Sequence, residues 1–181
     1  MVNTFLPEVS YQLSLSYLDN LRLRKQRVEV KQILRAIRGE TRGWANHPAA
    51  RMWRDYPGSL CVYGAMSCLV WKSRWRVVCE RCDESIFGKE YAHRNDSPPL
   101  DPVVCPHCEH WAPPVQVFYN DTLLPYFQEM AKEYKYKPVP WWVGVPEFHR
   151  SHQSNLIRKD STLYGPLWPG VPSNLPYFWP V

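Results

Sequence analysis

Apolar residues recur at helical spacing through much of this chain, and the clearest run is Leu18 to Arg38, LDNLRLRKQRVEVKQILRAIR. Val30, Ile33, Leu34 and Ile37 form one stripe while Lys31, Arg35 and Arg38 fall opposite, which predicts a helix with one packed side and one facing solvent or an anion. Asp19 or Asn20 is placed to cap its start, and Gly39 to end it in a left-handed turn. Before it, Ser10 to Leu18 predicts a short helix with Tyr11, Leu15 and Leu18 on one face. After it, Pro48 suits the first position of a short helix through Met52 and Trp53. Gly58 to Trp71 repeats apolar residues at Leu60, Tyr63, Met66, Leu69 and Val70, a buried helix whose Cys61 and Cys68 are expected to pack as small hydrophobes. Leu123, Leu124, Phe127, Met130 and Tyr134 predict a further helix over Asp121 to Tyr134, with Pro125 tolerated in its first turn.

Between Arg74 and Val117 this periodicity stops. Cys79-Glu-Arg-Cys82 is answered by Cys105-Pro-His-Cys108 across twenty-two residues. Two CxxC turns bring four thiolates to one tetrahedral ion, so Cys79, Cys82, Cys105 and Cys108 are expected to hold a structural Zn²⁺, with no open position for catalysis. Beyond it, KPVPWWVGVPEF reads as a proline-punctuated connector with Trp141 and Trp142 in the core. His149 to Lys159 reads as a short polar, basic helix or turn. The closing YGPLWPGVPSNLPYFWPV is too apolar to be free and must lie on the body. The fold class that follows is mainly α: a compact helical single domain formed by residues 1–73 and 118–181, a zinc-ribbon-like insertion at 74–117, and an extended Pro/aromatic C-terminal tail.

Charge sharpens this picture. From Asn20 to Arg54 there are ten Lys/Arg against Glu29 and Glu40, a local net of +8 in a chain of net +5. Residues 79–147 carry eleven acids and six bases, which makes the insertion a poor phosphate-binding face and a candidate docking point for a protein partner. The basic helix and the His149–Lys159 stretch together offer the donors a nucleic acid needs. The candidates are Arg22, Arg24, Lys25, Arg27, Lys31, His47, His149, Arg150, His152, Asn155, Arg158 and Lys159. Trp44, Trp53, Tyr56 and Trp71 are placed either to stack on a base or, more simply, to fill the core. No apolar run approaches the roughly 20 residues needed to cross a bilayer, and the first residues lack the pattern of a secretory signal. A soluble, cytoplasmic protein with no membrane partner is expected. P-loop, G-x-S-x-G and H-E-x-x-H motifs are absent from the sequence.

The blocks LDNLRLRKQRVEVKQILRAIRGETRGWANHPAARMWR, HRSHQSNLIRKD and NLPYFWP resemble bacterial and phage proteins grouped with the pyrimidine-dimer DNA glycosylases. The resemblance implies a helical body that binds damaged double-stranded DNA, flips out a base and cuts the glycosidic bond with an amine nucleophile. It implies that the amine is the α-amino group of Val2 after removal of Met1, which is substantially neutral near pH 8 and so able to attack C1′. Lys25 is the alternative imine former. The family's catalytic carboxylate lies three residues before an Arg-Val step, here Arg27-Val28, and that position is Arg24. Asp19 and Glu29 are the nearest acids, and helical geometry points Glu29 away from Arg24. The activity implied is an N-glycosylase with or without abasic-site lyase activity. The alternative is a non-catalytic zinc-containing nucleic-acid-binding protein that keeps the basic face.

Overall fold

The computed structural model describes residues 3–74, 77–78, 85–86, 103–104, 108–109, 111–112 and 123–181. The helices follow the apolar stripes: α1 (Tyr11–Tyr17), α2 (Asn20–Ile37), α3 (Pro48–Trp53), α4 (Pro57–Arg74), α5 (Leu123–Glu133), α6 (Pro146–Lys159) and α7 (Ser161–Tyr164), which runs into a 3-10 turn at Gly165–Leu167. Ser10 caps α1 by accepting from the Leu13 N–H, and Asp19 caps α2 by accepting from that of Arg22. At the far end of α2, Gly39 has a φ of +75°, and Glu40 N–H reaches back to Arg35 C=O at 2.9 Å. That left-handed closure suits glycine, which has no Cβ to clash.

Helix α4 is the hub. It packs on α5, α2 and α1, and it is apolar on most of its surface, with Leu60, Tyr63, Cys68 and Trp71 buried. Gly64 makes the α5 contact possible, since a Cβ there would sit 2.7 Å from the Phe127 ring. Cys61 and Cys68 are core residues, as expected. Trp142 is fully buried, but Trp141 is 62% exposed, so only one of the two connector tryptophans closes the core. The tail does lie on the body: Trp168 is buried and its indole N–H donates to Glu8 at 3.0 Å, and Leu175 N–H donates to Ser154 Oγ at 2.9 Å.

The element that helical spacing does not reveal is residues 3–7. They have no regular secondary structure, yet Asn3, Thr4, Phe5, Leu6 and Pro7 are buried, so their main-chain groups need partners from elsewhere. Phe5 N–H donates to Gln26 Oε1 (2.8 Å), and Gln26 Nε2 donates to Asn3 C=O (2.6 Å). Tyr63 OH donates to Phe5 C=O (2.8 Å), His149 Nδ1 to Leu6 C=O (2.8 Å), and Gln153 Nε2 to Pro7 C=O (2.8 Å). Trp53 Nε1 donates to Thr4 Oγ1 at 2.8 Å. Side chains from α2, α3, α4 and α6 thus hold one extended strand of chain through the helical core.

Inside the 74–117 stretch two short antiparallel pairs are described. Strand β1 (Val77–Val78) pairs with β2 (Ser85–Ile86), and β3 (Val103–Val104) with β4 (Trp111–Ala112). Cys79, Cys82 and Cys105 lie outside the described residues, and so does Val2.

Candidate functional site

The buried N-terminal strand and the first half of α2 meet at a cavity of about 260 Å³. Asn3 and Phe5 line it from the strand, and Leu21, Arg22, Lys25 and Glu29 from α2. Lys159 at the end of α6 and Tyr177 of the tail complete it. The α2 residues recur every three or four positions, so one helical face presents two cations and one acid.

Glu29 is the distinctive group. It is buried, its carboxylate is 3.7 Å from the Lys25 ammonium, and the backbone N–H of Asn3 hydrogen-bonds to it. Burial most of all pushes its carboxyl above the ordinary glutamate range, against the pull of Lys25 and the Asn3 N–H. Lys159 Nζ sits 5.9 Å from the centre of the Phe5 ring. Burial first, then the charges of Arg22, Lys25 and Arg158, hold its amine below the ordinary lysine range. Tyr177 is raised mainly by burial. A buried carboxyl group, a weakened amine and aromatic walls in one cationic recess can hold an anionic ligand and move a proton within it.

Asp19 does not line this cavity. One of its oxygens caps α2, and the other accepts from Tyr164 OH at 2.7 Å and from the Arg22 guanidinium. Burial opposes ionisation, but these hydrogen bonds together hold the Asp19 carboxyl below its usual range. Asp19 is therefore a cap and an anchor for Arg22, not a carboxylate open to substrate.

The other expected contacts divide. Arg24 is exposed but does not line the cavity, and Glu29 does point away from it. Arg27 is buried, with its guanidinium 4.6 Å from the Trp71 ring. Lys31 Nζ lies 4.6 Å from the Tyr126 ring. His47 caps α3 by accepting from Ala49 N–H at 3.2 Å, and burial lowers its pKa. Arg158 is exposed and donates to Asn155 Oδ1. Arg150 lines a separate groove with Glu147, Leu175 and Phe178.

His149, His152 and Asn155, expected among the nucleic-acid contacts, face the interior instead. All three are buried. His149 uses Nδ1 on Leu6 C=O and accepts from Gly144 N–H at 2.9 Å through Nε2. Asn155 donates to Ser151 C=O at 2.8 Å. His152 is enclosed by Phe148, Phe5 and Tyr177 with no hydrogen-bond partner among the described residues, and burial drives its pKa down to about 3. None of the three meets a phosphate. Trp53 and Trp71 are core as well, and the aromatic rings at the cavity are those of Phe5 and Tyr177. Tyr177 sits in NLPYFWP, a block the sequence marks without assigning it a role. Asn3, Phe5 and Leu21 gave no comparable signal.

Residues 2–81, a little under half of the chain, match the family described as pyrimidine dimer DNA glycosylase. Over that stretch the chain is similar to this family. No curated protein and no solved structure matches it. The matched stretch holds the buried strand and α1 to α4, and with them six of the eight residues around the cavity. Lys159 and Tyr177, which finish the wall, come from outside the match. Among the described residues no helix is long and apolar enough to cross a membrane.

Proposed function

We propose that the protein is a DNA N-glycosylase acting on damaged or modified pyrimidines in duplex DNA, with the cavity as its catalytic pocket and Glu29 as its carboxylate. The observation that carries this reading is the buried Glu29 carboxyl facing the Asn3 backbone N–H, inside a ring of Arg22, Lys25 and Lys159. Asn3 N is bonded directly to residue 2. An α-amine released at Val2 by removal of Met1 would begin one peptide unit from the carboxylate, which suits attack at C1′. Glu29 replaces, from another helical face, the acid that Arg24 displaces. Its roles are to stabilise positive charge developing on the sugar and to pass a proton as the base leaves. Arg22 and Lys25 receive phosphate, and the rings of Phe5 and Tyr177 flank a flipped nucleotide.

The test is release of base from ultraviolet-irradiated duplex by wild type and Glu29→Gln. The amide keeps the shape and most hydrogen bonds but cannot transfer the proton, so release should fall by about 10²–10⁴-fold with DNA affinity kept. Equal release by both proteins overturns the assignment.

The metal expectation rests on the spacing of the sequence, in which Cys79-x-x-Cys82 and Cys105-x-x-Cys108 each offer two thiolates. Cys79, Cys82, Cys105 and Cys108 are suited to hold one Zn²⁺ with all four positions closed, a ligand set that braces a small insertion rather than activating water. Metal analysis of the full chain should return one zinc. Chelation should then lower the melting temperature, while a metal-free preparation indifferent to chelator rules this out.

A further inference from the structure

We propose that Lys159 is a second amine of the pocket, able to form an imine with the C1′ aldehyde of a ring-opened abasic deoxyribose. The inference rests on reading the cavity as the catalytic pocket. Lys159 ends α6 and lies outside the family match, yet its side chain completes the same recess as Glu29. Lys25, the other lysine there, is engaged by the Glu29 carboxylate at 3.7 Å. Lys159 instead lies along the Phe5 ring, with Arg22 and Lys25 across from it on α2 and Arg158 beside it on α6. Although the residue as a whole is exposed, desolvation of its amine first and the cations on both sides second disfavour the ammonium form, so more of it is the free amine that a nucleophile requires. The same cations attract the phosphates that flank an abasic sugar.

The lone pair of Nζ attacks C1′ and forms the C–N bond, the C=O π pair moves onto the oxygen, and the proton that the nitrogen sheds goes to that oxygen to give a carbinolamine. Protonation of its hydroxyl by the Glu29 carboxylic acid lets water leave, and the nitrogen lone pair closes the C=N bond. The Glu29 carboxylate then removes a C2′ proton, the electron pair shifts into the C1′–C2′–C3′ system, and the C3′–O bond breaks to release the 3′ phosphate. No external oxidant or reductant is consumed.

The experiment incubates the full chain with a duplex carrying one abasic site and cyanoborohydride, then maps the reduced adduct by peptide mass spectrometry. The expected result is an adduct on the peptide that contains Lys159, lost to background in Lys159→Arg. That variant keeps the cation, and its DNA affinity and melting temperature should match wild type. Lys132→Arg, on α5 and paired with Glu129, should leave the yield unchanged. Trapping at Lys159 should also persist to lower pH than that of an ordinary lysine. An adduct confined to the α-amine, or equal yield from Lys159→Arg, overturns the proposal. If Glu29-dependent base release survives that result, only the role of Lys159 falls; if base release is absent too, the pocket reading falls with it.

Discussion

Helices α2 and α6 look alike as strings of residues, since both carry bases, amides and few acids, but the fold uses them in opposite ways. On α2 the cations Arg22 and Lys25 rim an open cavity, and Gln26 turns inward to brace the N-terminal strand. On α6 His149, Ser151, His152, Ser154 and Asn155 turn inward, while Glu147 and Arg150 near its start and Arg158 and Lys159 at its end meet solvent. The difference teaches that polar composition does not identify a ligand-binding face. Buried main chain that lacks a ladder also demands polar side chains, and residues 3–7 demand them from α6.

The largest effect should come from removing the inward brace while leaving the outward face alone. Gln26→Leu strands Phe5 N–H and Asn3 C=O in the core. At about 1–3 kcal/mol for each unsatisfied group, the loss should be about 2–6 kcal/mol by urea unfolding. Because Asn3 and Phe5 line the cavity, activity should fall with it. Gln32→Leu, on the exposed side of the same helix, should change stability by no more than about 0.5 kcal/mol. Similar costs for the two glutamines would mean that the strand is held by something other than this amide.

A middle-sized effect should appear at His152 as acid is added. Its folded pKa is lowered from 6.5 to about 3, so the unfolded chain takes up the proton first. The stability tied to neutral His152 is complete above pH 6.5 and is lost as pH falls toward 3, at about 1.4 kcal/mol per pH unit at most. Unfolding midpoints at pH 7, 6 and 5 should drop for wild type and drop less for His152→Leu. Parallel curves would place the ring in contact with water, and α6 would then be closer to the solvent-facing helix its composition suggests.

How much of this was legible beforehand depends on where each residue's partner lies. The α2 boundaries follow from its own stripe and from Asp19 and Gly39, all within one segment. The pairing of Arg22, Lys25 and Glu29 on one face follows from helical geometry, although their shared cavity does not. His149 was misread because its partners are Leu6, 143 residues away, and Gly144, and local spacing carries no trace of the first. Asn3 and Phe5 were overlooked for the same reason: an extended strand that pairs with side chains has neither the period of a helix nor that of a β-strand. Lys159 was flagged for its charge alone. Its place in the same cavity as Glu29 depends on tertiary packing that brings the end of α6 to the first half of α2, which no run of residues encodes locally.

The smallest predicted effect separates the two ends of α2 itself. Arg35 donates to Glu40 at 3.2 Å, and Arg38 contacts Glu40 at 2.7 Å and Glu133 at 2.5 Å, so the C-terminal end already has acidic partners. Lys25, at the cavity, has Glu29 at 3.7 Å as its acidic partner among the described residues. If DNA sits over the cavity, Lys25→Gln removes one phosphate contact, and the slope of log affinity against log salt should become shallower by about one. Arg35→Gln should leave that slope unchanged, because the cation it removes is balanced within the protein before DNA arrives. Titrations of an abasic duplex over a range of salt concentrations measure both. Equal changes in slope would place the DNA along the whole helix, and the cavity would then mark only one point on a longer track.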